Sequence, residues 1–500
     1  MAFEFKYKSG VVVNAFHIIE TEDKQLLDML LGVKKLKQKN TFRIEDNLVN
    51  RIILGLQRLD NNMCDELECV LPPHLYEYQI KDVNKMAGLK ASLNANTMGL
   101  GKTIETATLL NSIRPPILII APKTVVPHWQ KQLETHFNIS SEIFPKVFDE
   151  TGIYITNYEQ INNDSIFTSA RSFRWNAVVL DEAHKIKNRK SKMSTRIAKL
   201  PSARRYALTG TPILNKPDDL WHILNWLNWR YAGKSYWNFV EYFCNVEEDF
   251  FGKQIKGLTE DPERQALLSL IIELIGVRNP EIPIAQGKVT IPITLHMANK
   301  QRKLYDNVAQ LMYDELPEGT IIANGMVLLT RLMQVTSNPL VVDEKCKQNI
   351  KFEWIKEFLA NDKSRKTVIF TKFAQTAKAL KACLDSNACM FIGETPHHDR
   401  VAELETFMSG GAQVLIGTIG AMGQGLDGLQ EVSNCAVFLE RDWSPALQQQ
   451  AESRLYRHGQ KDVVEIYYLN CEHSVDNYVG QINYRKTEDI RRVLNDDKEN

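Results

Sequence analysis

Thr97-Met98-Gly99-Leu100-Gly101-Lys102-Thr103 runs directly into a helix-forming stretch, Ile104 to Leu110, and its reading decides the fold. Two glycines followed by a lysine and a threonine are the chemistry of a phosphate cradle. The glycines let backbone N–H groups turn inward where a Cβ would clash. The lysine reaches the β- and γ-phosphates, the threonine hydroxyl can hold Mg²⁺, and the positive end of the helix faces the anion. The full Gly-x-x-x-x-Gly-Lys-Thr form asks for a glycine at position 96, where this chain has Asn96.

Around this loop the bulk numbers set limits. A chain of 500 residues is too long for one core, so two or three domains are expected. Apolar residues at 44% and charged residues at 24% are those of an ordinary globular protein. Lys+Arg and Asp+Glu both count 61, so the molecule as a whole steers no polyanion, and a nucleic-acid surface must be a local track. The eight cysteines are scattered, without a Cys-x-x-Cys pair, and read as free thiols in a reducing compartment. No signal peptide opens the chain and no apolar run reaches membrane-spanning length, which predicts an intracellular protein without a membrane partner.

Residues 1–70 carry no motif. Val11 to Phe16 reads as a strand, Asp28 to Leu36 and Asn47 to Leu59 as helices, and Lys34, Lys35, Lys37 and Lys39 as a solvated helix face rather than a DNA patch. Beyond Leu71 the signals are dense. Gln79 precedes the phosphate loop and could read an adenine edge, a role that only the downstream motifs support. Ile117 to Ile120 is a short apolar run of the buried parallel kind, and Pro122 puts Lys123 and Thr124 on a loop at its carboxyl end. Ile153 to Tyr158 repeats the arrangement.

Ala177-Val-Val-Leu180 then runs into Asp181-Glu182-Ala183-His184. Two carboxylates at the end of a buried strand are costly unless a cation waits there, and the carboxyl ends of strands are where α/β sheets bind ligands. Asp181 suits Mg²⁺ and Glu182 the attacking water; the bland alternative is a pair of N-capping acids. Tyr206-Ala-Leu208 leads into Thr209-Gly210-Thr211-Pro212. The aromatics between Asn215 and Leu340 (Trp221, Trp226, Trp229, Trp237, Phe239, Phe243) read as core packing before base stacking. A second set of strands follows, Thr367–Phe370, Cys389–Ile392, Val414–Ile416, Ala436–Leu439 and Val463–Leu469, with helical segments between them. Gln450, Arg454 and Arg457 fall at i, i+4 and i+7, on one face of a helix closed by Gly459. That face is either a salt-bridged surface or the cationic fork that a phosphoryl-transfer site takes from a facing domain.

Taken in order, Gly99-Leu-Gly-Lys-Thr103, Asp181-Glu-Ala-His184 with Lys185-Ile-Lys-Asn188, Leu208-Thr-Gly-Thr-Pro212-Ile-Leu-Asn215, Asp442-Trp-Ser-Pro445 and Arg454-Leu-Tyr-Arg-His-Gly-Gln460 resemble the Snf2 family of superfamily 2 ATPases, which translocate on double-stranded DNA. The resemblance covers residues 71 to 487 and looks like the compact viral or phage members. It implies an α/β fold of two RecA-like lobes with parallel sheets and helical insertions: lobe 1 at 71–290 with an insertion near 215–285, lobe 2 at 291–487 with one near 298–345, and a polar tail at 488–500. It implies ATP and Mg²⁺ as cofactors, with Gln79, Met98, Gly99, Leu100, Gly101, Lys102, Thr103, Gly425 and Gln450 around the nucleotide and Thr103 and Asp181 on the metal. Catalysis falls to Lys102, Asp181 and Glu182 together with Arg454 and Arg457 as arginine fingers, while Gln450 and His184 link nucleotide state to lobe closure. DNA contacts fall to Lys123, Thr124, Asn157, Thr209, Thr371, Lys372 and Thr418, mostly on backbone phosphate, which suits a motor that must not stop at particular sequences.

The chain departs from the family pattern at Asn96-Thr97, where an Asp-Glu pair is usual, at Met422 to Asp427, and at Glu440, Gln448 and Asn338. The function expected is an ATP-dependent translocase on duplex DNA that displaces proteins or remodels DNA. Its alternatives are a strand-separating or branch-migrating repair helicase, and a DNA-binding scaffold with weak ATPase. Double-stranded DNA, including branched or protein-bound DNA, is the expected partner, with a protein partner for residues 1–70. The expected location is the nucleus of a eukaryotic host or otherwise the cytoplasm.

Overall fold

The computed structural model describes residues 6–9, 16–38, 40–56, 58–60, 63–145, 147–213, 216–249, 252–280, 286–314, 321–423, 426, 428–494 and 496. The chain divides into two compact units, the first holding 1–281 and 488–500 and the second 282–487.

The first unit is built on a seven-stranded sheet in the order Gly276–Val277, Ala91–Asn94, Ser202–Leu208, Trp175–Asp181, Ile117–Ala121, Ile153–Asn157, Glu142–Ile143. Every pairing in it is parallel. The central strands read as unbroken apolar runs because both faces are covered. Leu118, Ile120, Val178 and Leu180 join one hydrophobic cluster, while Ile117, Ile119, Ala177 and Val179 join another on the opposite face. Register does the positioning: Leu208 lies level with Asn94 on one side and Asp181 on the other, so the loops that follow three adjacent strands start at one height.

The segment before this sheet differs from the sequence expectation. It forms a four-stranded antiparallel sheet, Lys6–Ser9, Phe16–Glu20, Thr41–Glu45 and Lys34–Lys35. Residues 11–15 of the expected first strand lie outside the described residues. The expected helix over 28–36 is instead Lys24–Met29, capped by Asp23; Gly32 at φ +73° then turns the chain, and Lys34 and Lys35 lie exposed on an edge strand. The second expected helix is confined to Leu48–Ile53, because Asn47 caps its start and Gly55 at φ +64° follows its end. Buried Asp46 pairs with Arg51 and with Arg230 at 3.2 Å, and Asp60 pairs with the same two arginines, fixing this segment to the rest of the unit.

The expected insertion near 215–285 holds helices Asp219–Leu227, Trp229–Ala232, Tyr236–Phe243 and Pro262–Ile275, and also a hairpin, Cys244–Asp249 with Gly252–Leu258. Trp221, Trp226, Phe239 and Phe243 are buried in the core, which settles them as packing; Trp237 is exposed.

The second unit carries a six-stranded parallel sheet in the order Lys288–Leu295, Val464–Cys471, Cys435–Phe438, Thr367–Thr371, Val414–Thr418, Ala388–Phe391. Lys288–Leu295 is an additional strand, and Pro292 is tolerated in it because it lies at the edge of the sheet. Helices Asn299–Asp314 and Ile321–Ser337 follow the edge strand within the stretch 298–345. The presumed polar tail is partly helix: Val475–Leu494 continues past 488, and Val493 and Leu494 are buried in the first unit's core. Among the described residues no helix is long and apolar enough to cross a membrane, and all eight cysteines are free.

Candidate nucleotide site

Asn94 ends its strand, and Lys102–Asn111 is the helix that follows. Gly99 and Gly101 both take the left-handed conformation, at φ +89° and +84°. A Cβ on Gly101 would stand 2.5 Å from the Gln79 side-chain nitrogen, so a larger residue would displace that amide as well as strain the backbone. No side chain caps this helix, which leaves its first N–H groups to an anion. Lys102 folds back over the loop, its Nζ donating to the carbonyl oxygens of Asn96 at 2.9 Å and Thr97 at 3.4 Å. Burial lowers its proton affinity, opposed by the carboxylates of Glu182, Asp181 and Glu105. Met98 and Leu100 are buried, and Thr103 is half-buried in the first helical turn.

Asp181 stands at the end of the neighbouring strand but one. Trp129 Nε1 donates to its Oδ2 at 2.7 Å, the Glu182 N–H to its Oδ1 at 2.9 Å, and Tyr158 OH to its carbonyl at 2.7 Å. Burial, with Glu182 adjacent, pushes its carboxyl up to about 6. Glu182 sits at φ +54°, a conformation that costs a non-glycine residue about 1–3 kcal/mol and marks functional loops. His184, buried behind it, places Nδ1 3.2 Å from Glu182 Oε2 and 3.2 Å from Thr209 Oγ1, joining the acidic loop to the Thr209-Gly210-Thr211 loop. That loop presses on the phosphate loop: a Cβ on Gly210 would lie 2.8 Å from Met98 Cγ and 3.3 Å from the Asn96 carbonyl.

These residues fit a nucleoside triphosphate with Mg²⁺. The uncapped helix start and the inward lysine suit phosphate, and the raised Asp181 is a carboxylate that a divalent cation would ionise. Among the described residues no group of three or more His, Cys, Asp or Glu forms a metal cage. Mg²⁺ held by one or two protein oxygens, with phosphate and water supplying the rest, needs none.

A buried polar network behind the loop was missed in the sequence. Asn96 Nδ2 donates to Asp82 Oδ2 at 2.7 Å and lies 3.2 Å from Glu105 Oε2, and its Oδ1 accepts from the Asn279 backbone N–H at 2.8 Å. Asn94 Nδ2 donates to Glu105 Oε2 at 2.6 Å, and burial with Asp82 nearby pushes Glu105 up to about 8. The two departures from the family pattern thus have structural work: Asn96 separates two carboxylates, and Thr97 Oγ1 donates to the Pro280 carbonyl at 2.9 Å. The signal available in the sequence was the alternation Asn94-Ala-Asn96 at the end of a buried strand.

Other candidates are placed differently from expectation. Gln79 lends its Nε2 to the Leu100 carbonyl at 3.0 Å and its Oε1 to the Tyr76 N–H at 3.0 Å, so its amide supports the phosphate loop. Of the DNA candidates, Lys123 and Thr124 are exposed on their loop. Asn157, Thr209 and Thr371 are buried with internal partners: Asn157 Oδ1 accepts from the Gln160 N–H, and Thr371 Oγ1 donates to Glu440. Lys372 pairs with Asp442 at 3.0 Å, and Thr418 is half-buried.

In the second unit the expected helical face is not formed. The helix Pro445–Glu452 carries Gln450 but stops before both arginines; the Arg454 and Leu455 N–H groups bond three residues back, to Ala451 and Glu452, and the chain turns. Arg454 instead donates to the carbonyls of Leu426 at 3.0 Å and Gly423 at 2.5 Å, and Arg457 lies half-buried on the following turn. Gly459, at φ +94°, belongs to this turn rather than to a helix end. Gln450 is buried, and both ends of its amide lack a partner among the described residues. Gly425 lies outside the described residues.

A parallel α/β unit with a glycine-flanked lysine on one loop and an Asp-Glu pair two strands away defines a nucleotide-binding protein. The model of the SNF2-related domain matches residues 78–349, and that of the helicase conserved C-terminal domain matches 350–459. The chain belongs to the SNF2-related family. It is 25% identical over 514 residues to the human "SWI/SNF-related matrix-associated actin-dependent regulator of chromatin subfamily A member 1", covering 92% of this chain and 47% of that one. It is 26% identical over 411 residues to the Bacillus subtilis "Putative ATP-dependent helicase/translocase YwqA", covering 75% and 43%. The chain thus spans about half the length of these relatives. A Sulfolobus solfataricus SWI2/SNF2 ATPase core solved with dsDNA aligns with 88% of this chain and 99% of its own, at 23% identity and a TM-score of 0.39.

Proposed function

We propose that the chain is a DNA-dependent ATPase that moves along double-stranded DNA and displaces or remodels what is bound there. The observation that carries this reading is the convergence on one rim of Lys102, Asp181, Glu182, His184 and Thr209, at the ends of three strands in level register. The phosphates would lie against the N–H groups of 98–103 and the Lys102 ammonium, and Thr103 and Asp181 would hold Mg²⁺. When bound, the metal supplies neutralising charge on the phosphates. Glu182, strained and fixed by His184, orients the attacking water. Arg454 and Arg457 are the cations proposed to assist turnover, Gln450 is the residue proposed to sense nucleotide state, and Lys123 and Thr124 offer the exposed contacts to DNA phosphate.

The test is ATP hydrolysis without nucleic acid and with duplex DNA, single-stranded DNA or RNA, beside Glu182→Gln. Strong stimulation by duplex DNA that the substitution abolishes is the expected result. Stimulation by branched or single-stranded DNA alone would favour the repair-helicase reading, and no hydrolysis in any condition would overturn the assignment.

A further inference from the structure

Arg278 sits where the chain is about to leave the first unit, whose leading portion ends at 281. Gly276–Val277 is the edge strand beside Leu93–Asn94, and the pairing continues beyond the sheet. The Ala95 N–H donates to the Val277 carbonyl at 2.9 Å, the Thr97 N–H to the Asn279 carbonyl at 3.1 Å, and the Asn279 N–H returns to Asn96 Oδ1 at 2.8 Å. The entry to the phosphate loop is therefore zipped along the segment that leads out of the unit.

The Arg278 side chain adds a second link. Its Nη1 donates to the carbonyls of Ala95 at 2.5 Å and Gly210 at 3.4 Å, the backbones entering the phosphate loop and the Thr209 loop. Its Nε and Nη2 donate to the two carboxylate oxygens of Asp496 at 2.9 and 2.7 Å. Asp496 follows the helix Val475–Leu494, along which the chain re-enters the first unit at 488. Both side chains are largely buried, 10% and 13% exposed, so the fork is dry enough to hold its geometry. The two places where the backbone passes between the units thus end on one ion pair. That pair grips the loops at the nucleotide site without reaching the phosphates itself.

We propose that Arg278 and Asp496 are positioning residues, a coupling pair through which tension on the two chain crossings is transmitted to the phosphate loop. The proposal rests on the ATP-binding reading of that loop. It is a geometric device: a carboxylate fixes a guanidinium, and the guanidinium fixes two backbone carbonyls. Lys102, whose proton affinity is lowered chiefly by burial, also feels Arg278 as a nearby positive charge, which places the pair within electrostatic reach of the loop's own cation.

The experiment uses the full chain and Asp496→Asn, which keeps the shape of the side chain and removes its charge. Hydrogen exchange is read on the nucleotide-free protein, and kcat and KM for ATP are measured with and without duplex DNA. Loss of a coupling interaction changes an equilibrium by about tenfold. The expected result is therefore about tenfold faster exchange at 95–97 with the strand Ile117–Ala121 still protected, and about tenfold weaker stimulation by DNA at an unchanged basal rate. Asp496→Glu, which restores the fork, should recover both. Unchanged exchange with unchanged stimulation would overturn the proposal. So would faster exchange across the whole first unit, or an equal loss of basal and stimulated rates, either of which marks a merely structural pair. Arg278→Lys, which keeps the charge and loses the fork, is read in the same way and decides the matter should Asp496→Asn not fold. A wild-type chain without hydrolysis would sink the functional reading, and the exchange measurement alone would then judge the pair.

Discussion

Each unit places a lysine at the start of a helix, Lys351 buried and Lys102 half-buried, and the two are held in opposite ways. Lys351 in the second unit is wholly enclosed, its Nζ donating to Asp476 Oδ2 at 2.7 Å and to the Leu439 carbonyl at 2.5 Å. Asp476 is itself committed, accepting from the Cys471 N–H and from Thr336 Oγ1. The ammonium is lost to water, yet Asp476 and the more distant Glu440 more than compensate, and its pKa rises. Among the described residues Lys102 in the first unit touches backbone carbonyls alone; its carboxylates act at a distance, burial prevails, and its pKa falls. A buried lysine with a carboxylate in contact is part of the scaffold. One held by carbonyls alone can exchange them for a phosphate, and that difference separates structural from chemical cations better than burial does.

The comparison breaks most visibly at Lys351. Lys351→Met leaves Asp476 buried without its cation, and breaking such a pair costs about 3–5 kcal/mol of stability. Denaturant unfolding should show that loss. The double change Lys351→Met with Asp476→Leu should recover a good part of it, because removing both charges also removes the uncompensated burial. A single variant as stable as the parent would mean that the pair contributes nothing and the contrast is empty.

Lys102→Met should behave conversely. Removing one preorganised cation from a phosphoryl-transfer site lowers turnover by about 10²–10³-fold. Stability should hold or rise, since the substitution also removes a partly desolvated charge that has no carboxylate in contact. The checks are steady-state ATP hydrolysis with duplex DNA and the denaturation midpoint of the same preparation. Loss of folding here would place Lys102 in the same class as Lys351.

The fold was legible where strands end abruptly in chemistry. Ile117–Ala121 before Pro122, and Trp175–Asp181 before Glu182, announce themselves by apolar runs stopped by residues that a strand core cannot hold. Fixed-spacing arguments failed where the backbone turns. Gln450, Arg454 and Arg457 have helical spacing, but after Glu452 the backbone bonds shorten to i+3 and the helix ends. Lys34 and Lys35 read as a helix face until Gly32 turns them onto an edge strand. Asn157, Thr209 and Thr371 are at strand ends, as their motifs require, but side-chain direction is not in the sequence, and all three point inward. The least legible feature was the network of Asp82, Asn94, Asn96, Glu105 and Asn279, whose members are joined only by the fold.

That network supplies the finest test of the contrast, because it explains why carboxylates close to Lys102 do not pin it. Glu105 is pushed from 4.5 to about 8, by burial first and by Asp82 second, with the amides of Asn94 and Asn96 pulling the other way. At neutral pH it is therefore mostly protonated and pulls only weakly on Lys102. The folded protein then holds this proton more tightly than the unfolded chain does. The resulting stabilisation is complete below pH 4.5 and disappears as pH rises to about 8, so stability falls with pH across that window. Asp181, raised by burial and by Glu182, contributes a slope of the same sign, lower in the window than that of Glu105. Glu105→Gln should flatten stability between about pH 6 and 8 and leave the lower slope intact, as denaturant midpoints across that range will show. A slope that survives the substitution would mean that Glu105 is ionised in the fold, and the carboxylates around Lys102 would then hold it as firmly as Asp476 holds Lys351.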